Sequence, residues 1–192
     1  MIKLIAIVEK NFGLSKNGEI PWEFAEDRKL FQRLTKNSVV IMGKNTFFSH
    51  KNFPLKDRDN CVITKENISN AINFPTLEEA IEHYPDAWII GGAQLYNYAL
   101  RHNLIDEAII TLVSQEYEAD TFLDVHYFKH FDRQLIIQKG NYSVWKLKKR
   151  FGLMKNYDIN DCLSKSRKKL NTDPVQAVVD ARGSSHPYRS DS

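Results

Sequence analysis

Val39-Val40-Ile41-Met42-Gly43-Lys44-Asn45-Thr46 and, further on, Trp88-Ile89-Ile90-Gly91-Gly92-Ala93-Gln94-Leu95-Tyr96 share one pattern. Each is a short apolar run, rich in β-branched residues, that stops at glycine and passes at once into a helical pattern. A glycine at such a junction lets backbone approach a ligand closely, and a helix start offers free N–H groups to an anion. One junction of this kind is ordinarily just a turn. Two of them predict a parallel sheet with a phosphate-bearing ligand beyond the carboxyl ends of its strands. The sequence has no G-x-G-x-x-G, so the standard dinucleotide fingerprint does not apply.

Working outward, strand patterns at Ile2–Val8, Cys61–Thr64 and Ala108–Val113 join Val39–Met42 and Trp88–Ile90. Helical patterns lie between them over Phe24–Thr35, Lys44–His50, Leu77–His83 and Ala93–Leu100. This alternation predicts a largely parallel sheet with helices on both faces. Gln134–Gln138 and Tyr142–Leu147 flank Lys139-Gly140-Asn141 and read as a hairpin. The expected fold class is therefore α/β: one domain over residues 1–150 with a mixed, mostly parallel sheet closed by a C-terminal antiparallel hairpin. Residues 151–192 change composition to a polar, partly basic extension. Asp173, Pro174, Val175, Val178, Val179 and the stop at Gly183 predict a short helix there, and Ser164–Leu170 carries a run of basic residues best read as a solvated face.

A chain of 192 residues has room for a sizeable core, and 42% hydrophobic with 11% aromatic residues is ordinary for a soluble globular protein. Lys and Arg total 27 against 24 acidic residues, and the resulting +3 gives no argument for nucleic acid or membrane as a partner. No apolar run approaches the roughly 20 residues of a membrane span. Leu4 to Val8, closed by Glu9-Lys10, is too short for a secretory core and reads as a buried strand. Cys61 and Cys162 lie far apart, which suits a reducing compartment, so the cytoplasm is expected. His126 and His130 have i, i+4 spacing but no third ligand nearby, so no metal site is expected.

Asp27 is the residue that most narrows the function. Apolar residues recur at Phe24, Leu30, Phe31 and Leu34, spacing that gives a helix one apolar face. At about 100° per residue Asp27 projects between Phe24, Phe31 and Leu34, while Arg28, Lys29 and Arg33 fall mostly outside that arc. A carboxylate on a buried face is unfavourable unless something polar meets it. A buried water network would do, as would a ligand with paired N–H donors, because a carboxylate accepts two hydrogen bonds in one plane. A slightly rotated helix, with Asp27 reaching solvent or a lysine, fits the same pattern. Ahead of the helix, Asn17-Gly18-Glu19-Ile20-Pro21-Trp22 places apolar bulk beside the Asp27 face, either as a movable lid or as a packed turn.

In order and spacing these residues resemble dihydrofolate reductase. The resemblance is carried by Met1-Ile2-Lys3-Leu4-Ile5-Ala6, by Gly18-x-Ile20-Pro21-Trp22, and by Asp27 with Phe31 and Thr35. It continues through Val40-Ile41-Met42-Gly43-x-x-Thr46, Leu55 and Arg58, Ile90-Gly91-Gly92, Tyr96, Thr111 and Asp120-Thr121. It covers about residues 1–150 and omits the tail.

The resemblance implies NADPH-dependent reduction of 7,8-dihydrofolate to 5,6,7,8-tetrahydrofolate, in support of one-carbon metabolism and thymidylate synthesis. It implies that Asp27 is catalytic: it holds the pterin through its 2-amino and N3 hydrogens, favours protonation at N5, and shares a water with Thr111 behind the ring. Burial is expected to raise its pKa. Ile5, Phe31 and Ile90 are expected to wall the substrate, and Arg58 to clamp the glutamate carboxylate bidentately, a geometry lysine cannot reproduce. For NADPH the resemblance implies Gly43, Lys44, Asn45 and Thr46 at one junction. At the other it implies Gly91, Gly92, Ala93, Gln94, Leu95 and Tyr96, with the Gly91-Gly92 peptide cis. Lys44, Thr64 and Lys65 are expected to meet the 2′-phosphate, and Ile7, Leu14, Ser15, Gly18 and Ile20 complete the cofactor set.

Some positions depart from the family's usual pattern. Ile7 stands for a small alanine, Ser15 for a glycine in the lid, Arg28 for an apolar residue, Ala93 for a third glycine, and Lys56-Asp57 for a Pro-Gly. Ile7, Ser15 and Ala93 keep open a folate- or nucleotide-binding module without turnover. A riboflavin-pathway reductase shares the fold, but the acid after Pro21-Trp22 and Arg58 argue against it. The basic tail could also dock the enzyme to another folate enzyme.

Overall fold

The computed structural model describes residues 1–22, 24–49 and 53–150. Its frame is an eight-stranded sheet in the order β5-β4-β3-β6-β1-β7-β10-β9. The central strand β1 is Ile2–Val8, flanked in parallel by β6 (Ala87–Ile89) and β7 (Glu107–Val113). On the β6 side follow β3 (Val39–Gly43), β4 (Asp59–Ile63) and β5 (Ile72–Phe74), all parallel. On the other side β10 (Tyr142–Lys149) runs antiparallel to both β7 and β9 (Phe131–Gln138). The expected mixed sheet with a closing hairpin is what the chain forms.

The inner strands read as nearly continuous apolar runs because each is covered on both faces. Ile2, Leu4, Ala6 and Val8 alternate with Ile5 and join opposite cores. One core packs under α3 (Leu77–His83) and α4 (Ala93–Arg101), through Leu77, Ala80, Tyr96, Ala99 and Leu100. The other packs under α1 (Ala25–Thr35) and α2 (Lys44–Ser49), through Leu30 and Phe47, with Phe24, Phe31 and Leu34 alongside. β1 leads through α1 to β3 on one side, and β6 leads through α4 to β7 on the other. The crevice where these connections part lies at the carboxyl ends of the central strands.

The differences from the sequence reading have local causes. β4 begins at Asp59, two polar residues before the apolar run, because Val39 and Val40 pair with Asp59 and Asn60. The Asn60 amide then clips its own approach loop, accepting from Leu55 N at 2.8 Å and donating to Leu55 O at 2.9 Å. β6 closes at Ile89, one residue earlier than expected, although Ile90 N still reaches Ile41 O. The hairpin strands are longer than expected at their outer ends, and a register shift between Val144 and Trp145 interrupts their ladder. Three short strands had no legible pattern: β5, β2 (Gly13–Ser15) and β8 (Thr121–Phe122), the last two forming a separate two-stranded sheet. His126 and His130 lie exposed in a 3₁₀ turn, Val125–His130. The helix expected at residues 173–183 and the basic run Ser164–Leu170 lie outside the described residues. No helix among the described residues is long and apolar enough to cross a membrane.

The turn from β1 to β2 is held by a buried carboxylate. Glu9 is 1% exposed, and its Oε1 accepts from Asn11 N at 2.8 Å and Gly13 N at 2.9 Å. Gly13 has no room for a side chain, since a Cβ there would lie 2.5 Å from the Ala119 Cβ and 2.9 Å from Glu9 Oε1. Gly13→Ala is expected to destabilise the fold by about 1–3 kcal/mol through overpacking. Urea unfolding would show it as a lower midpoint with an unchanged slope.

Candidate active site

The site begins with a face of the sheet that cannot be wholly apolar. Thr111 on β7 is 1% exposed and shares its strand face with Ile109, which belongs to the core under α1. A buried hydroxyl needs a partner. It finds one in Asp27, on the inward side of α1: Thr111 Oγ1 donates to Asp27 Oδ1 at 2.5 Å. The two groups the sequence reading expected to act together are in direct contact, because β7 and α1 pack closely enough for the side chains to meet. Asp27 is half-buried, and its hydrogen-bond partner among the described residues is Thr111. Burial pushes its carboxyl above the usual range, and the Thr111 hydrogen bond opposes this in part.

Apolar walls surround the carboxylate. Ile5, Phe31 and Ile90, expected to line a substrate, belong to one cluster with Phe24, Leu30 and Val144. Beneath them Tyr96, buried in α4, donates its hydroxyl to Ile5 O at 2.7 Å. Burial and the Asp27 charge both raise the pKa of that phenol, so it stays a donor. Ile7 is half-buried and opposite Thr111 in the ladder.

Arg58 sits at the far end of α1. Its Nε donates to Thr35 Oγ1 at 2.9 Å, Nη1 to Lys56 O at 2.5 Å and Nη2 to Gln32 O at 3.1 Å. Thr35 is itself fixed by donating to Phe31 O at 2.8 Å. A guanidinium has five N–H donors, so one on each terminal nitrogen remains after these three. The group is anchored by helix α1 and also lies 5.8 Å from the Phe31 ring.

The two glycine junctions converge. Gly43 N donates to Gly91 O at 2.9 Å, and the Gly91-Gly92 peptide is cis, as expected. Gly91 has φ +123, open to glycine almost alone, and a Cβ on Gly92 would come within 3.0 Å of Thr46 Oγ1. At Gly43 a Cβ would meet nothing closer than Gly91 O and Gly92 N at 4.0 Å, so a side chain there would fill open space at the strand ends. Thr46 lies inside α2, which starts at Lys44. Asn45 and Gln94 are exposed, while Ala93 and Leu95 pack against the core under α4. Lys44 follows β3 and Thr64-Lys65 follow β4, whose ends pair at Gly43 and Ile63. Lys44 is not free, however: its Nζ lies 2.6 and 2.7 Å from the two Glu66 oxygens. The sequence reading missed Glu66.

It also missed what holds the lid. Lys16 and Glu19 exchange backbone hydrogen bonds around Asn17 (φ 50) and Gly18 (φ 80), a tight Asn-Gly turn. Asp120 Oδ2 accepts from Asn17 N at 2.7 Å, Asp120 N donates to Ser15 O, and the Ser15 and Thr121 hydroxyls are hydrogen-bonded. Asn-Gly was a usable signal for the turn, but nothing in the sequence paired it with Asp120. Trp22 is 5% exposed and packs on Tyr117 at 5.2 Å, while its indole N–H has no acceptor among the described residues. Ile20 is 46% exposed, and Leu14 is buried.

Taken together these features are a half-buried carboxylate on a helix packed against an apolar cluster, an anchored guanidinium at the far end of that helix, and two joined glycine junctions, the first followed by Lys44. The dihydrofolate reductase family model matches residues 1–151. The viral dihydrofolate reductase of Saimiriine herpesvirus 2 (strain 488) is 35% identical over 144 residues, covering 64% of this chain and 68% of that one. The dihydrofolate reductase of Rattus norvegicus is 32% identical over 144 residues, covering 63% and 77%. Among solved structures, dihydrofolate reductase from Enterococcus faecalis, complexed with NADP(H) and RAB-propyl, superposes with a TM-score of 0.67 at 18% identity. It covers 78% of this chain and 96% of that chain, and at this identity the likeness is one of fold.

The raised pKa of Asp27 gives a pH signature that needs no ligand. The folded state binds this proton more tightly than the unfolded chain, so its contribution to stability is full below the ordinary carboxyl pKa and declines as pH rises through the raised value. Asp27→Asn, which carries no charge, is expected to gain stability on wild type as pH rises through that window. Urea unfolding at pH 4 and pH 7.5 checks this; a difference independent of pH would contradict it.

Proposed function

The chain belongs to the dihydrofolate reductase family, and from that premise we propose that it reduces 7,8-dihydrofolate to 5,6,7,8-tetrahydrofolate with NADPH. The observation that carries this reading is the half-buried Asp27 carboxylate, held by Thr111 on the inner side of α1, the helix that packs on the apolar cluster of Ile5, Phe31 and Ile90. When bound, NADPH supplies a hydride to C6; with the proton added at N5, dihydrofolate, NADPH and H⁺ give tetrahydrofolate and NADP⁺.

The rest is work for the protein's own groups. Asp27 presents two oxygens in a plane to the 2-amino and N3 hydrogens of the pterin. Thr111 fixes the carboxylate's rotation by holding Oδ1. A negative charge in an apolar cleft favours extra positive charge on the ring, which assists protonation at N5. Ile5, Phe31 and Ile90 exclude water and hold the ring in place. The two remaining N–H groups of Arg58 form the fork that receives the glutamate carboxylate. On the cofactor side, Gly43 to Thr46 and Gly91 to Tyr96 hold the diphosphate, aided by Lys44, Thr64 and Lys65. Ile7, Leu14, Ser15, Gly18 and Ile20 border the nicotinamide. The open space at Gly43 and the cations beside it fit such a group.

The test is loss of reduced-nicotinamide absorbance with dihydrofolate present. Asp27→Asn is expected to lower kcat/KM by about 10²–10⁴-fold at pH 7. The loss should shrink at acidic pH, where substrate arrives already protonated. A variant as active as wild type at neutral pH would sink the assignment of Asp27. Arg58→Lys is expected to raise the KM for dihydrofolate about tenfold or more with less effect on kcat, since a single ammonium cannot reproduce a bidentate pair. A truncated folate without the glutamate should not distinguish the two proteins.

A further inference from the structure

Lys44 and Glu66 meet at the mouth of the adenosine side of the cleft. The lysine ammonium lies 2.6 Å from Glu66 Oε1 and 2.7 Å from Oε2. Glu66 follows Thr64-Lys65 directly, and its backbone N–H donates to Thr64 Oγ1 at 3.1 Å. That turn sets the carboxylate among the groups proposed to receive a 2′-phosphate. The pair is open to water, with side chains 41% and 66% exposed, so it holds weakly and can be displaced.

A carboxylate there acts against a phosphate in two ways. It occupies N–H donors of the ammonium, and it sets a negative charge beside the place a dianion must take. Lys44 and Lys65 bring two positive charges to this corner and Glu66 cancels one. A ribose 2′-hydroxyl meets no such opposition, since it can donate to a carboxylate. We propose that Glu66 is a specificity-determining residue that reduces discrimination between 2′-phosphorylated and unphosphorylated dinucleotides, by holding Lys44 and repelling the dianion. This inference rests on the dinucleotide reading of the glycine cradle.

The experiment is calorimetric titration of the full chain and Glu66→Gln with NADP⁺ and with NAD⁺, at low and high salt. Glu66→Gln is expected to bind NADP⁺ about three- to tenfold tighter, with NAD⁺ unchanged or weaker, so the affinity ratio rises. The gain should shrink at roughly 0.5 M salt, where exposed charges are screened. Adding Lys44→Met should remove the part of the gain that comes from freeing the lysine and leave the part that comes from direct repulsion. An unchanged ratio in Glu66→Gln, with wild type binding NADP⁺ normally, overturns the role of Glu66 alone. Wild type that binds neither nucleotide overturns the dinucleotide reading and this proposal with it.

Discussion

Asp27 can stay between α1 and the sheet because Thr111 meets it there with a hydroxyl. Without that donor the helix would bury a carboxylate against Ile5 and Ile109, and turning it outward would expose Leu30 and Phe31 instead. The single contact therefore fixes the rotation of α1, and much follows from that rotation. It places Phe31 over the cleft and Thr35 inward, where Thr35 accepts from Arg58. The charge at one end of the cleft and the guanidinium at the other are thus carried by the same helix face, two turns apart.

The opposite half of the cleft depends on backbone rather than side chains. Gly43 N and Gly91 O are hydrogen-bonded across a turn that Gly91 makes at φ +123, and Gly92 lies against Thr46 because it carries no Cβ. β3 and β6 are neighbours in the sheet, so their carboxyl ends necessarily deliver both glycines to one place. Charge is then added by residues just past the strands. Lys44 and Glu66 show that such a corner can be balanced as well as built: the cation arrives with its own counter-charge. The loop after β2 is secured differently again, by Asp120 and Thr121 at the start of β8 reaching residues 15 to 17.

What was legible in the sequence is what depends on local pattern. Apolar runs long enough to cross the sheet gave β1, β3 and β7, and helical spacing gave α1 and α4, because burying both faces of a strand or one face of a helix leaves a period in the chain. The glycine junctions were legible since a residue without a side chain is conspicuous where strand passes into helix. The strands β2, β5 and β8, each of two or three residues, were not, because partners rather than periodicity make them strands. The same holds for Asp59 at the start of β4, drawn into the ladder by Val39.

The sequence by itself determined the layered α/β architecture, an acid bordering the apolar stripe of α1 and glycines at the end of β3 and just past β6. The tertiary structure decided which polar groups meet: Thr111 directly on Asp27, Arg58 tied to Thr35 and the end of α1, Glu66 on Lys44, Asp120 under the lid. The physical reason is range. Periodicity records whether a position is buried, which is a property of its own element. A hydrogen bond between residues as far apart as Asp27 and Thr111 exists only after packing has brought their strand and helix within about 3 Å of contact, and no pattern along the chain encodes that distance.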